Sequence, residues 1–545
     1  MEKDDKIRNV EREIDNEYRK YKLYHLQNRP LAQWYLLLMH EESVRLPIIK
    51  KTAEKIPLNW FEIICSFETS KASLQFSLKW TDELPDQKFH IPKKIDWELY
   101  EYAHEFFSLA ENYYSVIAPF TLYSRGLASA TIEDEFTIRF SRDLRESAFD
   151  FLSLYKTQDP AGCLKSYTKP LNALEKEIDN ILMTAKPLDK QGITYKVNHK
   201  NIASLIAYFL EEINKRTYLT DEWSIRDISA TELKSFFSSI KSYCMVHIRC
   251  MSNFDLLSMI EALGSASSLL TKSRDDWSRF ISKCSGVSLD RVISLIDMLT
   301  YDRTIKKRDI SLQPFLNLSD DYLTICPFLV YNSNLERNFL ALISKKFKPD
   351  YDKKSYIFEK KMIERCSQIA KLAGWKFTSN RPIIGMKSMP DIDAAFYDLT
   401  SKCLLLCQLK AVIPPSEPAE VIERSERELE GIEQSILIKK LAEQSPELIW
   451  QSCFSDMKYQ SPKIFHAVIL QGSFGSINSL DAKIPSLELD HFDEITKNCD
   501  SLVGLCEYIN TFSYLPKAAV DYILTDSVID FGKYKIIWDG FTPKN

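Results

Sequence analysis

The sequence predicts a mainly helical amino-terminal region followed by an α/β domain whose sheet carries helices. Glycine use changes along the chain, with five glycines in residues 1–340 and eight in residues 341–545. Apolar residues in the first part recur at helical spacing. From about residue 310, β-like runs alternate with helical patterns, as in α/β domains. Because 545 residues exceed one ordinary core, we expect domains at 1–305 and 306–545.

The region 1–305 is predicted to contain one or two helical subdomains. Helical periodicity is clear over Asp96–Tyr113, Leu171–Met183 and Leu289–Leu299. Two shorter runs, Phe61–Trp80 and Glu135–Phe140, have a β-like pattern. We expect this region to sense or recruit a protein partner, or to form a homo-oligomer.

The α/β pattern begins with a predicted hairpin. Its strands are Pro314–Leu318 and Tyr322–Val330, separated by a Ser-Asp-Asp turn. A helix is predicted over Asn334–Lys346, and another over Ser355–Ala373. Gly374 follows the second helix, as is typical of a helix carboxyl end.

Two strands, a helix and a third strand are predicted next. The first strand covers Pro390–Tyr397 and is joined by a tight turn to an apolar strand over Cys403–Lys410. A long charged helix follows over Pro418–Ala442, and then a strand over Ile464–Leu470. The core of the domain is therefore expected within residues 335–475.

Several functional classes are disfavoured by composition and motifs. The net charge is −5, so a basic surface would have to be local. The amino terminus has no apolar signal region, and runs such as Trp34–Met39 are too short to cross a bilayer. The cysteines form no CxxC pair and the phosphate-loop glycine motifs are missing. We expect a cytoplasmic protein with reduced, buried thiols and no membrane contact.

Polar residues interrupt the first of the two central strands. Strand side chains alternate between faces, so Asp391 and Asp393 are expected on one face and Ile392 and Ala394 on the other. The sequence therefore predicts a pair of carboxylates at the start of this strand.

The second central strand ends in an amide and an ammonium. The run Cys403–Cys407 is apolar throughout, as in strands buried on both faces. Gln408 and Lys410 follow it and share a face with Leu404 and Leu406. A hairpin would bring these two side chains beside the carboxylates.

This set of groups suits phosphodiester hydrolysis. Carboxylates and an amide oxygen are the hard ligands that Mg²⁺ or Mn²⁺ prefers. A bound metal lowers the pKa of water and offsets the negative charge of the phosphate. A lysine beside the metal can orient or deprotonate the water, or hold the phosphate.

The segments Pro390-Asp391-Ile392-Asp393 and Gln408-Leu409-Lys410 resemble the signature of the PD-(D/E)XK nucleases. Glutamine in place of the acid is similar to the Mrr-type restriction endonucleases. The resemblance implies a central mixed sheet flanked by helices, Mg²⁺ dependence and DNA cleavage, with a restriction or anti-phage defence role. It implies that Asp393 and Asp391 match the metal-binding acid, Gln408 the second ligand and Lys410 the catalytic lysine.

The family often carries a glutamate on the helix before the hairpin. Glu359 lines up with Met362 and Cys366 on the apolar stripe, whereas Glu364 lies on the polar face with Ser367. A carboxylate on an inward stripe needs a partner such as a metal. We therefore choose Glu359 as an additional metal ligand.

The helix after the second strand is expected to add a polar contact. The resemblance favours Gln434 for this role. Arg424 and Arg427 lie among glutamates and are interpreted as surface ion pairs. The motif Gly472-Ser473-Phe474-Gly475 is interpreted as a turn, although its glycines could also approach phosphate.

Local charge favours a polyanion partner. Lys345–Lys410 contains 14 Lys and Arg against 7 Asp and Glu, and three of those acids are the candidate metal ligands. The leading hypothesis is a nuclease acting on nucleic acid, with double-stranded DNA favoured over RNA. The alternative is a catalytically weak or inactive nuclease-like domain that binds nucleic acid as a scaffold, because Gln408 is an uncharged ligand.

Overall fold

The computed structural model of the chain describes residues 2–20, 26, 28–57, 59–92, 94–158, 175–187, 193–215, 219–258, 267–305, 308–319, 321–416 and 418–544. The α-helices in this part are α1 (Glu2–Lys20), α2 (Arg29–Ala53), α3 (Trp60–Trp80), α4 (Trp97–Ser124), α5 (Glu146–Gln158), α6 (Glu175–Leu182), α7 (Ala203–Lys215), α8 (Ala230–Ser258), α9 (Arg274–Ser285), α10 (Leu289–Met298), α11 (Pro327–Asn332), α12 (Leu335–Lys346), α13 (Lys348–Asp352), α14 (Tyr356–Ala373), α15 (Pro418–Gln444), α16 (Pro446–Phe454), α17 (Ile477–Ala482), α18 (Leu489–Lys497) and α19 (Leu502–Asn510). The strands are β1 (Ser129–Ile132), β2 (Thr137–Ser141), β3 (Lys186–Pro187), β4 (Ile193–Thr194), β5 (Ser224–Ile225), β6 (Ile228–Ser229), β7 (Leu270–Ser273), β8 (Leu316–Ser319), β9 (Tyr322–Ile325), β10 (Lys376–Arg381), β11 (Ile392–Asp398), β12 (Cys403–Ala411), β13 (Lys463–Gln471), β14 (Ser486–Glu488), β15 (Tyr522–Phe531) and β16 (Tyr534–Pro543).

The chain forms two compact units whose boundaries differ from 1–305 and 306–545. The first unit contains residues 1–120 and 158–348, and the second contains 121–157 and 349–545. Residues 121–157 join the second unit because β2 pairs in parallel with β16, with Thr137 opposite Lys535. A pairing between such distant segments leaves no trace in local periodicity.

The first unit is mainly helical, as the sequence predicted. Predicted helices coincide with α4 and α10, and α6 covers the described part of Leu171–Met183 because residues 171–174 lie outside the described residues. The predicted hairpin is present as antiparallel β8 and β9, although Asp320 of its turn also lies outside them. After Ile325 the second predicted strand gives way to α11, which begins at Pro327.

The prediction of β-structure over Phe61–Trp80 is wrong, because this run forms α3. Its helical stripe consists of Ile64, Phe67, Leu74 and Leu78, which are all buried. Serines lie between these residues and weakened the apolar signal. The helix also begins with an Asn59 side chain that accepts from a backbone N–H of the first turn, a capping contact that favours a helix.

A buried charge network lies inside the first unit. Arg45 is fully buried and its pKa is lowered by that burial, while Glu41 and Glu42 oppose the shift. Glu41 Oε2 accepts from the Phe328 N–H at 2.9 Å, at the amino end of α11. Glu42 Oε2 accepts from the Tyr100 hydroxyl at 2.6 Å. The network therefore connects α2 with α4 and α11.

Glu41→Gln should flatten the pH dependence of stability in the first unit. Burial raises the pKa of Glu41 from its ordinary 4.5 to about 7, although Arg45 opposes the shift. The folded protein therefore holds this proton more tightly, and the stability that this provides is lost as the pH rises from about 4.5 through 7. Between pH 5 and pH 8, the unfolding free energy of the unmodified protein should fall by about 2–3 kcal/mol more than that of the variant.

Hydrogen exchange of α2 peptides at the two pH values measures this difference. Glu98→Gln, an exposed change on α4, is the matched control and should follow the unmodified protein. An equal loss of protection in Glu41→Gln and the unmodified protein would contradict the prediction.

The second unit is built on a five-stranded mixed sheet with the order β10-β11-β12-β13-β14. β10, β11 and β12 are antiparallel neighbours, whereas β12, β13 and β14 run parallel. The predicted helix ending at Gly374, the two central strands, the long helix and the following strand correspond to α14, β11, β12, α15 and β13. The prediction of an α/β architecture for this region is confirmed at this level.

Helices cover both faces of this sheet. On one face, Cys366 of α14 packs with Phe396, Cys407 and residues of α18 and α19. On the other face, Ile438 of α15 and Trp450 of α16 pack with Leu404. The central strands are thus buried on both sides, which accounts for the unbroken apolar run of β12.

A second sheet in this unit has the order β1-β2-β16-β15. It places Glu135–Phe140, predicted as β-like, in β2 from Thr137 onward. In the part of the chain that the structure describes, no helix combines the length and apolar character that a bilayer crossing needs.

Candidate active site

The ladder between β11 and β12 ends where the candidate residues begin. Its last pair is Ala394 opposite Cys407. Beyond that pair, Asp393 Oδ2 accepts a hydrogen bond of 2.9 Å from the Leu409 backbone N–H. The side chain therefore satisfies a strand N–H at the point where the two strands separate.

Gln408 bonds across the same opening. Its side chain is almost fully buried, and Nε2 donates to the Asp391 backbone carbonyl at 2.8 Å. Asp391 itself is exposed. The side chains of Asp393 and Gln408 therefore both bond across this opening, Gln408 to the Asp391 backbone, and the grouping of all the candidate residues in one site stays a prediction.

The predicted alternation along β11 breaks at this opening. Ile392 packs with Tyr397 on the α15 face of the sheet, whereas Ala394 packs with Phe396 on the α14 face. The prediction that Ile392 and Ala394 share a face is therefore wrong. The break coincides with Asn380 in β10, which has a φ of +50° and lies between the partners of Ala394 and Ile392. An irregular strand backbone re-aims the side chains next to it.

Lys410 reaches its position between β12 and α15. Its side chain is 14% exposed, and Nζ donates to Glu430 Oε1 at 3.1 Å. A Cβ on Gly431 would lie 3.2 Å from Lys410 Cγ and 2.9 Å from Val468 Cγ1. Only glycine allows α15 to approach the lysine stem this closely.

Asp393 is the most strongly perturbed carboxyl of the opening. Its pKa is raised from 3.8 to about 6, mainly by burial and also by Glu359 and Asp391. The Leu409 hydrogen bond and the Lys410 charge act in the opposite direction. Asp391, Glu359 and Lys410 therefore each lie within electrostatic range of Asp393.

Glu359 contributes to this field from the first turn of α14. The apolar stripe predicted for this helix is present, with Met362, Cys366 and Ala370 buried. Glu359 itself is exposed, so its predicted inward burial is wrong: the buried residues of this first turn are Ile357 and Phe358. Glu364 lies 3.9 Å from Lys360 in an exposed ion pair, as expected for the polar face.

Gln434 is not joined to the opening by a hydrogen bond within the described residues. Its Oε1 is buried and accepts no hydrogen bond there. Arg427 forms an exposed pair with Glu430 Oε2 at 3.0 Å, as predicted. Arg424 is buried and faces Glu146 at 4.0 Å. Its assignment as a surface pair is wrong, because α5 covers it, and α5 comes from a distant part of the chain.

The turn Gly472–Gly475 packs against its own chain. A Cβ on Gly472, at a φ of +82°, would lie 2.5 Å from the Val412 carbonyl oxygen. A Cβ on Gly475 would lie 3.0 Å from the Ser486 carbonyl oxygen. Close backbone approach therefore explains both glycines without a bound phosphate.

The donor set at the opening fits a divalent cation in its chemistry. The charge of Asp393 is influenced by two other carboxylates, Glu359 and Asp391, and by the Lys410 ammonium, which is itself paired with Glu430. The resulting surplus of negative charge and the oxygen ligands are what Mg²⁺ requires. In the described ranges, no three His, Cys, Asp or Glu side chains lie close enough together to form a ready-made metal group.

Comparison with known proteins adds no family to these observations. The chain matches no protein-family model, no curated protein and no solved structure. Assignment of a function therefore depends on the chemistry of the opening itself.

Two residues of this region were not predicted from the sequence to have a role. Glu430 contacts Lys410, and Gly431 makes that contact sterically feasible. Gly431 is the only glycine in the long predicted helix, which was a usable signal of close approach. Glu430 had no such signal, because α15 contains many similar glutamates.

Proposed function

We propose that the second unit is a Mg²⁺-dependent nuclease, active also with Mn²⁺. The observation that supports this most directly is the opening between β11 and β12, where Asp393 accepts a hydrogen bond from the Leu409 backbone N–H, one residue before Lys410. Asp391 and Glu359 lie within electrostatic range of Asp393. Such a collection of like charges is costly unless a cation shares it.

The surrounding architecture supports a restriction-endonuclease-like core. A helix, α14, precedes three antiparallel strands, β10 to β12. The α15 helix then leads to the parallel strand β13. This is the mixed sheet with helices on both faces that the PD-(D/E)XK resemblance implies.

Each residue has a distinct part in the proposed chemistry. Asp393, Asp391 and Glu359 hold the metal with the Gln408 amide oxygen. Mg²⁺, when bound, lowers the pKa of water and offsets charge on the scissile phosphate. Lys410 orients or deprotonates the water, or holds the phosphate as a point charge. Gln434 would contact these residues only if its side chain formed hydrogen bonds that it does not form among the described residues.

Nucleic acid is the proposed substrate, with double-stranded DNA as the first choice. The excess of basic residues over Lys345–Lys410 favours a polyanion. The first unit would then direct the nuclease, through a protein partner or a second copy of the chain. A restriction or anti-phage defence role is consistent with one unit that directs and one that cleaves.

The alternative is a nuclease-like scaffold that binds nucleic acid without cutting it. Two observations favour it: Gln408 carries no charge, and Glu359 is exposed. Binding without cleavage in Mg²⁺ would support this alternative.

Supercoiled plasmid and single-stranded RNA incubated with the full chain in Mg²⁺, Mn²⁺ or EDTA test the proposal. We expect metal-dependent cleavage that falls about 100-fold or more in Lys410→Ala, because general acid–base or charge contributions of one group are of this order. Lys440→Ala, an exposed change on α15, should cleave normally. Cleavage that persists in EDTA, or that is unchanged in Lys410→Ala, would refute the proposed site.

A further inference from the structure

Glu430 lies between two cations at the edge of the opening. Its Oε1 accepts from Lys410 Nζ at 3.1 Å, and its Oε2 accepts from Arg427 Nη1 at 3.0 Å. Burial would raise the pKa of Glu430, but the hydrogen bonds from Lys410 and Arg427 outweigh this and lower it. Glu430 is therefore a carboxylate at neutral pH.

Glu430, Lys410 and Arg427 taken by themselves carry one net positive charge. One carboxylate shared by two cations cannot neutralise both. Arg427 is largely exposed, whereas Lys410 is 14% exposed. Lys410 therefore keeps its attraction for a phosphate while its ammonium is held by an anion.

The methylene chain (stem) of Lys410 is confined, as is its ammonium group. Gly431 brings the α15 backbone against it, and β13 supplies Val468 on the same side. A lysine side chain otherwise loses about 1.5–2 kcal/mol of rotamer entropy when it is ordered. Packing of the stem and pairing of the ammonium together offset that cost before any substrate binds.

We infer that Glu430 is a positioning residue that fixes the Lys410 ammonium at the end of β12 for its role in the reaction. This inference rests on the proposed nuclease function. A lysine is a point charge on a flexible stem, so its location must be set by neighbours. Displacement of a reacting group by about 1 Å can cost about 100-fold in rate.

Glu430→Gln is the direct test, with Glu426→Gln as control. Glu426 lies one turn earlier on α15 and is exposed. In Glu430→Gln we expect kcat to fall about 10- to 100-fold while KM changes less than about threefold, because placement and not substrate binding is lost. Glu430→Asp should recover less than the unmodified rate, because its shorter side chain moves the carboxylate. Unchanged kcat in Glu430→Gln would overturn the inference.

A second measurement does not depend on cleavage. Acetic anhydride must reach the lysine Nζ, and the Lys410 Nζ is paired with Glu430 on a side chain that is 14% exposed. We expect Lys410 to be acetylated faster in Glu430→Gln than in Glu426→Gln, as measured by mass spectrometry of the Lys410 peptide. If the unmodified chain cuts no nucleic acid, the proposed function fails, and this measurement still tests whether Glu430 holds Lys410. Equal rates would overturn the inference.

Gly431→Ala tests the same placement from the opposite side of the lysine. The added Cβ would push on the Lys410 stem and on Val468, so acetylation of Lys410 should change and kcat should fall. Gly504→Ala in α19, where the nearest atom to an added Cβ is Ser501 Oγ at 3.3 Å, is the matched helical control. Normal kcat in Gly431→Ala, with unfolding comparable to Gly504→Ala, would count against the inference.

Discussion

Asp393→Asn should abolish metal-dependent cleavage and at the same time stabilise the metal-free protein. The folded-state pKa of Asp393 is raised from 3.8 to about 6, mainly by burial. The stability linked to its proton is present below about pH 4 and is lost as the pH rises through 6. At pH 8 the protein therefore carries a costly carboxylate that faces Glu359 and Asp391. Active sites often retain such destabilising groups for function.

The asparagine keeps an oxygen that can accept from the Leu409 N–H but carries no charge. We expect cleavage to fall about 1,000-fold or more, because metal binding supplies several kcal/mol of transition-state stabilisation. In EDTA at pH 8, the variant should gain about 1–3 kcal/mol of unfolding free energy. The gain should vanish near pH 4, where Asp393 is protonated in the unmodified protein.

Asp398→Asn on the same strand is the control, because its expected effect has the opposite sign. Burial would raise the pKa of Asp398, but hydrogen bonds from Ser401 and Thr400 outweigh it and lower the pKa. Its replacement should destabilise the protein at pH 8. Urea unfolding of both variants at pH 4 and pH 8 measures the difference. A less stable Asp393→Asn at pH 8, or one that cuts normally, would contradict the assignment of Asp393.

Arg45→Met should destabilise the first unit by about 3–5 kcal/mol, the usual cost of removing one partner from a buried ion network. Arg45 is fully buried, and its charge interacts with Glu41 and Glu42. Its Nη2 also donates to Ser268 Oγ at 3.0 Å. Methionine fills much of the volume but leaves two buried carboxyls without their cation.

Neutralising the carboxyls in the same background should recover much of the loss. In the triple variant Arg45→Met, Glu41→Gln, Glu42→Gln, no charge remains to be compensated, and a neutral replacement of a buried ion set is often close to neutral for stability. Arg279→Met is the control, because Arg279 forms an exposed pair with Asp275 that contributes less than about 1 kcal/mol. Hydrogen exchange of α2 peptides reports the first unit by itself. Equal protection in Arg45→Met and Arg279→Met would show that the network does not stabilise this unit.

Local features of the sequence were sufficient for several helices and for the central strands of the second unit. The helix that ends at Gly374 and the central strands followed from apolar periodicity and from residues with strong conformational preference. The hairpin that brings Asp393 beside the end of β12 was also predictable, because a short turn joins the two strands. The helix over Phe61–Trp80 was missed because serines occupy part of its buried stripe.

Only the tertiary structure decided which distant segments meet. Residues 121–157 join the second unit through β2 and β16, and α5 thereby buries Arg424. Among the many glutamates of α15, packing over Gly431 selects Glu430 as the partner of Lys410. Periodicity reports which face of an element is apolar. It carries no information on which charged group will lie opposite, because that depends on how separate elements pack.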